Sequence, residues 1–193
     1  MTAFVLPISD PPRPARRFRL LRRPRLAFCL VALAVVALAA PSSADHSLDV
    51  HWSKGTSVLS VLVIDQTGGR FPVRQAADQW SRSGMLDIGF VTSCPSGRNC
   101  VVVHLDESQT LGLTSFVRTP DRRHFAAVDV ALSSTRAMSA STRLSVACHE
   151  LGHALGLGHR GGGDSCLVNG SSFPTRPDAH DYEALRGLYA HSH

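Results

Sequence analysis

The run His149-Glu150-Leu151-Gly152-His153-Ala154-Leu155-Gly156-Leu157-Gly158-His159 has the pattern H-E-x-x-H-x-x-G-x-x-H. On a helix, His149 and His153 stand four positions apart, so their imidazoles project from one face and can bind the same metal ion. Gly156 can enter the left-handed region of backbone space, which ends the helix and turns the chain back toward that face. His159 then arrives as a third ligand.

Three neutral imidazoles with one open position are the ligand set of a catalytic zinc, because a closed structural site takes all four ligands from the protein. Glu150 follows the first ligand and can take a proton from a water on the metal. The alternative is an amphipathic helix whose histidines merely lie on a surface. A bare H-E-x-x-H is compatible with that alternative, but the longer pattern rarely arises by chance. We therefore predict one zinc bound by His149, His153 and His159, with Glu150 as the catalytic residue.

This run resembles the active-site motif of the metzincin clan of zinc peptidases, and residues 143–189 are similar to the matrixin-like branch of secreted bacterial enzymes. The resemblance implies an α+β, sandwich-like catalytic domain with a mixed, mainly parallel five-stranded sheet and an antiparallel edge strand. An active-site helix and a C-terminal helix complete that fold. In this family the edge strand lines the cleft and pairs with an extended substrate, since an open strand edge hydrogen-bonds a peptide main chain whatever its sequence.

One position departs from the family's pattern. Metzincins carry a methionine in a turn beneath the metal, and residues 164–169 occupy that place with Leu167 where methionine is expected. The methionine supplies an apolar floor and is not a ligand, so a leucine of similar volume can replace it at modest cost. The resemblance also implies that Asp181 supports this turn and that residues 168–174 form a wall of the pocket for the side chain after the scissile bond.

The first 44 residues have the features of an export signal. Seven arginines lie between residues 13 and 25, and residues 26–40 form an apolar stretch too short for a permanent membrane span. Small residues at Ser42, Ser43 and Ala44 predict cleavage after Ala44, which leaves residues 45–193 as the catalytic domain. An uncleaved anchor is the alternative, and the paired arginines Arg16 and Arg17 leave a twin-arginine route open.

The positive charge of the whole chain belongs to this leader. It contains seven of the twenty basic residues and only one of the fifteen acidic ones, so residues 45–193 are close to neutral. A chain without a basic surface excess gives no reason to expect nucleic-acid binding. We expect a secreted monomer that acts on protein or peptide and has no stable membrane association after cleavage.

The cysteines after the leader also favour an exported protein. There are four, an even number that favours two disulfides in an oxidising compartment. We pair Cys94 with Cys100 and Cys148 with Cys166, the second pair tying the metal-binding helix to the loop after the third ligand. A structural zinc held by all four thiols is the alternative, but the spacing lacks two close pairs.

Apolar periodicity places the remaining elements. The pattern predicts a helix from Pro72 to Gly84, a metal-binding helix capped within residues 139–142, and a final helix over residues 178–190. Strands are predicted at residues 57–64, 85–92, 100–105, 111–118 and 126–133. His104, Asp106 and His124 could hold a structural ion such as calcium, but no motif supports one, and solvated surface residues are the simpler interpretation.

The resulting hypothesis is a secreted zinc endopeptidase that hydrolyses peptide bonds with a zinc-activated water and Glu150 as general base. A zinc-bearing binding or adhesion module that has lost turnover is an alternative from another class, motivated by Leu167. A third reading, an enzyme acting on short peptides or cell-wall cross-links, shares the same site.

Overall fold

The computed structural model describes residues 46–55, 58–107, 110–170 and 172–191, and the predicted leader lies outside them. The described residues form five strands and three helices. In chain order these are β1 (Leu59–Asp65), α1 (Val73–Ser81), β2 (Leu86–Phe90), β3 (Cys100–Asp106), β4 (Gly112–Arg118), β5 (Phe125–Ser133), α2 (Ala140–Ala154) and α3 (Ala179–Leu188). Every predicted element is present, with ends shifted by a few residues.

The strands form one sheet in the order β2-β1-β3-β5-β4. β1 is parallel to β2 and β3, β3 is parallel to β5, and only β4 is antiparallel to its neighbour. The mixed sheet with an antiparallel strand at its edge agrees with the predicted architecture. β4 reverses direction because a short loop joins it to β5, whereas the parallel pairs need longer crossovers.

One face of the sheet packs against the helices and forms part of the hydrophobic core. Alternate residues of β1 and β3 are buried, such as Val61, Val63, Val101 and Val103, while the residues between them are partly exposed. This period of two sends successive side chains to opposite faces. The helices cover the buried face: α2 packs against β4 and β5, and α1 packs against α2 and β2.

Two tryptophans connect the layers. The indole of Trp80 on α1 is fully buried and donates to the carbonyl of Cys148 on α2 at 2.9 Å. The indole of Trp52 donates to the carbonyl of Ala154 at 2.8 Å. The polar segment predicted as an arm before β1 is therefore packed onto the end of α2, which its composition did not indicate.

Both predicted disulfides are present, Cys94 with Cys100 and Cys148 with Cys166. Paired cysteines of this kind are typical of proteins that fold in an oxidising compartment. Among the described residues, none of the helices combines the length and apolarity needed to span a bilayer.

Two helical glycines differ sharply in their surroundings. A Cβ at Gly152 on α2 would lie 2.7 Å from both Leu167 Cδ2 and Trp80 Cζ2, whereas a Cβ at Gly187 on α3 would meet nothing within 4 Å. Gly152 therefore allows the close approach of α2 to the loop and to α1. Gly187 carries only the entropic penalty of glycine in a helix.

We expect Gly152→Ala to lower the free energy of unfolding by about 1–3 kcal/mol, because the extra methyl overpacks a closed contact. Gly187→Ala should raise it by up to about 1 kcal/mol, because alanine is the better helix former. Denaturant unfolding of both variants with the disulfides intact measures the two effects. Equal changes in the two variants would contradict the packing described here.

Candidate metal centre

α2 carries the first two histidines of the motif and is fixed at its start. Ser139 caps the helix by accepting a hydrogen bond from the amide of Thr142 at 3.1 Å, as predicted from the cluster of hydroxyl residues. Near the other end of the helix, the rings of His149 and His153 lie with centroids 4.6 Å apart. The spacing of four residues thus places both imidazoles side by side.

Gly156 ends the helix in the way its position in the motif predicts. Its φ of +95° is in the region that disfavours residues with a Cβ. Its amide donates to the carbonyl of His153 at 3.0 Å, and the amide of Leu157 donates to that of Gly152 at 3.1 Å. This pair of bonds is the Schellman motif, which closes a helix and reverses the chain. The reversal brings His159 back to the helix.

The three imidazoles converge on one point. The Nε2 atom of His149 lies 3.0 Å from that of His153 and 3.1 Å from that of His159, and the last two atoms are 3.2 Å apart. His149 and His153 are partly buried, while His159 is exposed. The structure therefore brings together all three predicted ligands.

The hydrogen bonds of the Nδ1 atoms show which tautomer the His149 and His153 rings adopt. His149 Nδ1 lies 2.7 Å from the carbonyl oxygen of Cys166, and His153 Nδ1 lies 2.8 Å from that of Leu157. A carbonyl oxygen only accepts, so each Nδ1 carries the hydrogen, and in a neutral ring Nε2 then presents a lone pair. Lone pairs that face each other at 3.0 Å repel, and a cation between them removes the repulsion. These three histidines can therefore hold a metal ion.

The surroundings of the three rings favour their neutral form, chiefly through loss of solvation. Burial lowers the pKa of His149 and His159, and it lowers the pKa of His153 to about 4. Metal ligands must be unprotonated, so an imidazole that resists protonation is ready to bind at neutral pH.

Glu150 lies on the same helix with its carboxylate against the edge strand. Its side chain is almost fully buried, and Thr114 of β4 donates to Oε2 at 2.7 Å. Burial raises the pKa of Glu150, and the hydrogen bond from Thr114 opposes that rise. A carboxyl group whose pKa is moved toward neutrality can both accept and return a proton.

The loop beneath the histidines is held by a buried carboxylate. Asp181 of α3 is inaccessible to solvent, and its Oδ2 accepts from the Ser165 hydroxyl at 2.5 Å and from the Asp178 amide at 2.8 Å. The amide of Leu167 donates to Ser165 Oγ at 3.0 Å. Asp181 therefore supports the turn that contains Leu167, as the sequence resemblance implied.

Leu167 fills the position beneath the histidine helix. It is fully buried, and its Cδ2 lies where a side chain on Gly152 would begin. The apolar floor expected from a methionine is thus present with leucine.

A cleft opens beside Glu150. A cavity of about 200 Å³ lies between the start of β4, the helix α2 and the segment from Val168 to Phe173. Ser145, on α2, lines it and donates to the carbonyl of Pro174 at 2.7 Å. Of the predicted pocket wall at residues 168–174, all but Ser171 and Pro174 border this cavity, and Ser171 lies outside the described residues.

A second group of possible ligands lies behind the site. His46, His180 and Asp181 place one ligand atom each within 4.8 Å of one another. The Asp181 carboxylate is already engaged by Ser165 and Asp178, and Arg160 Nη1 lies 3.4 Å from its other oxygen. The Arg160 guanidinium is already a cation beside Asp181 Oδ1, and it would repel a metal ion bound to that oxygen. We therefore interpret His46, His180 and Asp181 as structural support.

The structure does not group His104, Asp106 and His124 as joint ligands within the described ranges. His104 instead pairs with Asp129, Nε2 to Oδ2 at 2.8 Å. His124 is largely buried and packs against His51 with ring centroids 5.1 Å apart, so it is less exposed than the sequence suggested.

The sequence indicated the three histidines and Glu150 but not the groups that contact them. The carbonyl groups of Cys166 and Leu157 and the hydroxyl of Thr114 were not identified. Carbonyl groups have no sequence signature, and Thr114 is 36 residues from Glu150. The alternation of β4 was the available signal, since it places positions 112, 114 and 116 on one face.

No known family model matches the chain, and no curated protein matches it in sequence. What the site can do therefore follows from its own atoms.

Acidification should destabilise the metal-free protein through His153. Its pKa is about 4 when folded and 6.5 in an ordinary environment, so the unfolded chain binds more protons between these values. The free energy of unfolding therefore rises with pH across this window and falls as pH drops from 6.5 to 4. We expect a loss of about 3 kcal/mol from this group, and His153→Gln should remove it. Parallel pH profiles of the parent and the variant, measured by denaturant unfolding, would contradict the assignment.

Removing the disulfide beside the site should weaken metal binding. The bond joins Cys148 to Cys166, whose carbonyl orients His149. Loss of such an orienting contact typically costs about 10- to 100-fold in metal affinity. We expect this loss in the double variant Cys148→Ser and Cys166→Ser, measured by competition with a chromophoric chelator.

The other disulfide supplies the matched control. Replacing Cys94 and Cys100 with serine removes a cross-link at an exposed loop. These two cysteines are separated by 6 positions in the sequence, whereas Cys148 and Cys166 are separated by 18. Both double variants should lose about 2–3 kcal/mol of stability. Only the first should lose metal affinity, and an equal loss in both would show that Cys166 has no special role.

Proposed function

We propose that this protein is a secreted zinc endopeptidase of the metzincin clan, in its matrixin-like branch. The convergence of three Nε2 atoms within 3.2 Å carries the proposal, because it supplies the ligand set of a metal site with an open position. The motif, the mixed sheet with its antiparallel edge and the supported turn beneath the histidines are consistent with that clan.

The donor set is compatible with zinc, which is the metal we propose for this site. Three imidazoles with no carboxylate or thiolate among them suit zinc. The nitrogens of His149, His153 and His159 are 3.0–3.2 Å apart. When bound, zinc would act as a Lewis acid that lowers the pKa of a water and polarises the scissile carbonyl.

Glu150 is the proton carrier in this proposal. Its carboxylate is oriented by Thr114 and lies at the mouth of the cleft beside His149. It accepts the proton of the attacking water and then passes it to the leaving amine. A pKa raised by burial makes the carboxylate a better base than an exposed glutamate.

The cleft suits an extended polypeptide. The outer edge of β4 has no neighbour in the sheet described by the structure, and Leu113 on this strand is more than half exposed. A peptide can add to such an edge through its main chain. The cavity between β4, α2 and the segment after Val168 then accepts the side chain that follows the scissile bond.

The proposed location is outside the cell. The arginine-rich leader and the small residues before Asp45 have the pattern of an export signal, and the two disulfides are stable in an oxidising compartment.

Glu150→Gln should retain zinc and lose turnover. The amide keeps the size of the carboxylate and still accepts from Thr114, but it is a negligible base, so we expect cleavage of reduced, unfolded casein to fall by about 10²- to 10⁴-fold. Zinc content by mass spectrometry and cleavage products on a gel measure the two properties. His159→Ala should instead lose zinc, and a chelator should stop the parent.

Two different results would contradict separate parts of the proposal. Undiminished cleavage by Glu150→Gln would exclude Glu150 as the base. A parent protein that binds one zinc and cleaves no unfolded protein would favour the binding or adhesion module.

A further inference from the structure

The edge strand β4 holds the Glu150 side chain from two positions. Thr114 Oγ1 lies 2.7 Å from Glu150 Oε2 and 2.9 Å from the backbone oxygen of the same residue. At Gly112, a Cβ would lie 2.7 Å from both Cγ and Oε1 of Glu150. Because alternate residues of a strand face the same side, the glycine provides the space and the threonine provides the anchor.

The hydroxyl has one hydrogen and two acceptors within reach. The backbone oxygen of Glu150 lies four residues before the end of α2, where the helical pattern bonds it to the amide of Ala154. A bond to a carboxylate is about twice as strong as one between neutral groups. The hydrogen of the Thr114 hydroxyl therefore goes to Oε2.

A glutamate side chain needs such a contact to hold one conformation. Fixing its rotamers costs up to about 2 kcal/mol of entropy. Reacting groups that are displaced by about 1 Å can lose 10²-fold in rate. A carboxylate beside a cleft is therefore an effective base only if its surroundings restrict it.

We propose that Thr114 is a positioning residue, whose hydroxyl, in the space left by Gly112, holds the Glu150 carboxylate in its working orientation. The inference rests on the proposed function, in which Glu150 is the base. In this role the Thr114 hydroxyl acts through Glu150. The strand that would bind the substrate thus also orients the base.

The competing interpretation is that Thr114 only ties β4 to α2. Three substitutions separate the two possibilities. Thr114→Val keeps the shape and removes the hydroxyl, Thr114→Ser keeps the hydroxyl, and Thr92→Val makes the same change at an exposed threonine outside the sheet. All are made in the purified protein.

For Thr114→Val we expect kcat to fall by about 10- to 100-fold, KM to change by less than twofold and zinc content to stay at the parent level. Thr114→Ser should lie within about threefold of the parent in kcat, and Thr92→Val should match the parent. Equal damage from Val and Ser, or full activity of Thr114→Val, would overturn the proposal. A loss of zinc in Thr114→Val would show a structural role instead.

Gly112→Ala tests the role of the space that Gly112 leaves for the Glu150 side chain. The added methyl meets the flexible end of Glu150 and no backbone atom among its nearest neighbours, so the carboxylate can move aside at little cost in stability. We expect a fall in kcat comparable to that of Thr114→Val, with the thermal midpoint close to that of the parent. Parent-level kcat would contradict the role given to Gly112.

A readout that needs neither metal nor turnover separates this inference from the proposed function. In crystal structures of metal-free protein, Glu150 should keep one conformation in the parent and in Thr114→Ser, and leave β4 in Thr114→Val. An unchanged Glu150 conformation in Thr114→Val would overturn the positioning role even if the parent cleaves protein. Absence of cleavage by the parent, with the conformational change present, would overturn the peptidase proposal alone.

Discussion

The convergence of three imidazole nitrogens on one point is the constraint around which the domain is arranged. The Nε2 atoms of His149, His153 and His159 lie within 3.2 Å of one another while carbonyl groups fix the hydrogens of two rings on the opposite nitrogens. Such an arrangement is stable only if the surrounding structure holds each ring in place. The capped helix, the Schellman motif and the Cys148–Cys166 disulfide supply that support.

The support extends below the histidines through a chain of polar contacts. Asp181 fixes Ser165, Ser165 holds the amide of Leu167, and the intervening Cys166 presents its carbonyl to His149. In this chain the residue that fills the floor needs apolar volume and no special chemistry. Leu167 supplies this volume against Gly152 and is fully buried.

The elements that could be predicted from the sequence are those with local causes. Helix spacing places His149 beside His153, Gly156 ends the helix, and alternation marks each strand. Contacts between segments far apart in the chain could not be predicted in the same way, because such contacts produce no periodic pattern in the sequence. Trp52 beneath the end of α2 and Thr114 against Glu150 belong to this class. The antiparallel edge was expected only through resemblance to a known clan, and the order of the strands was not predicted, because local patterns alone do not specify either.

The central claim is that three neutral imidazoles hold one zinc with an open position. X-ray absorption spectroscopy of the protein loaded with one equivalent of zinc measures the ligand types and distances directly. The account predicts three imidazole nitrogens at about 2.0–2.1 Å and one further oxygen ligand. Sulfur ligands, fewer than three imidazoles, or a protein that fails to retain one zinc per chain would contradict it.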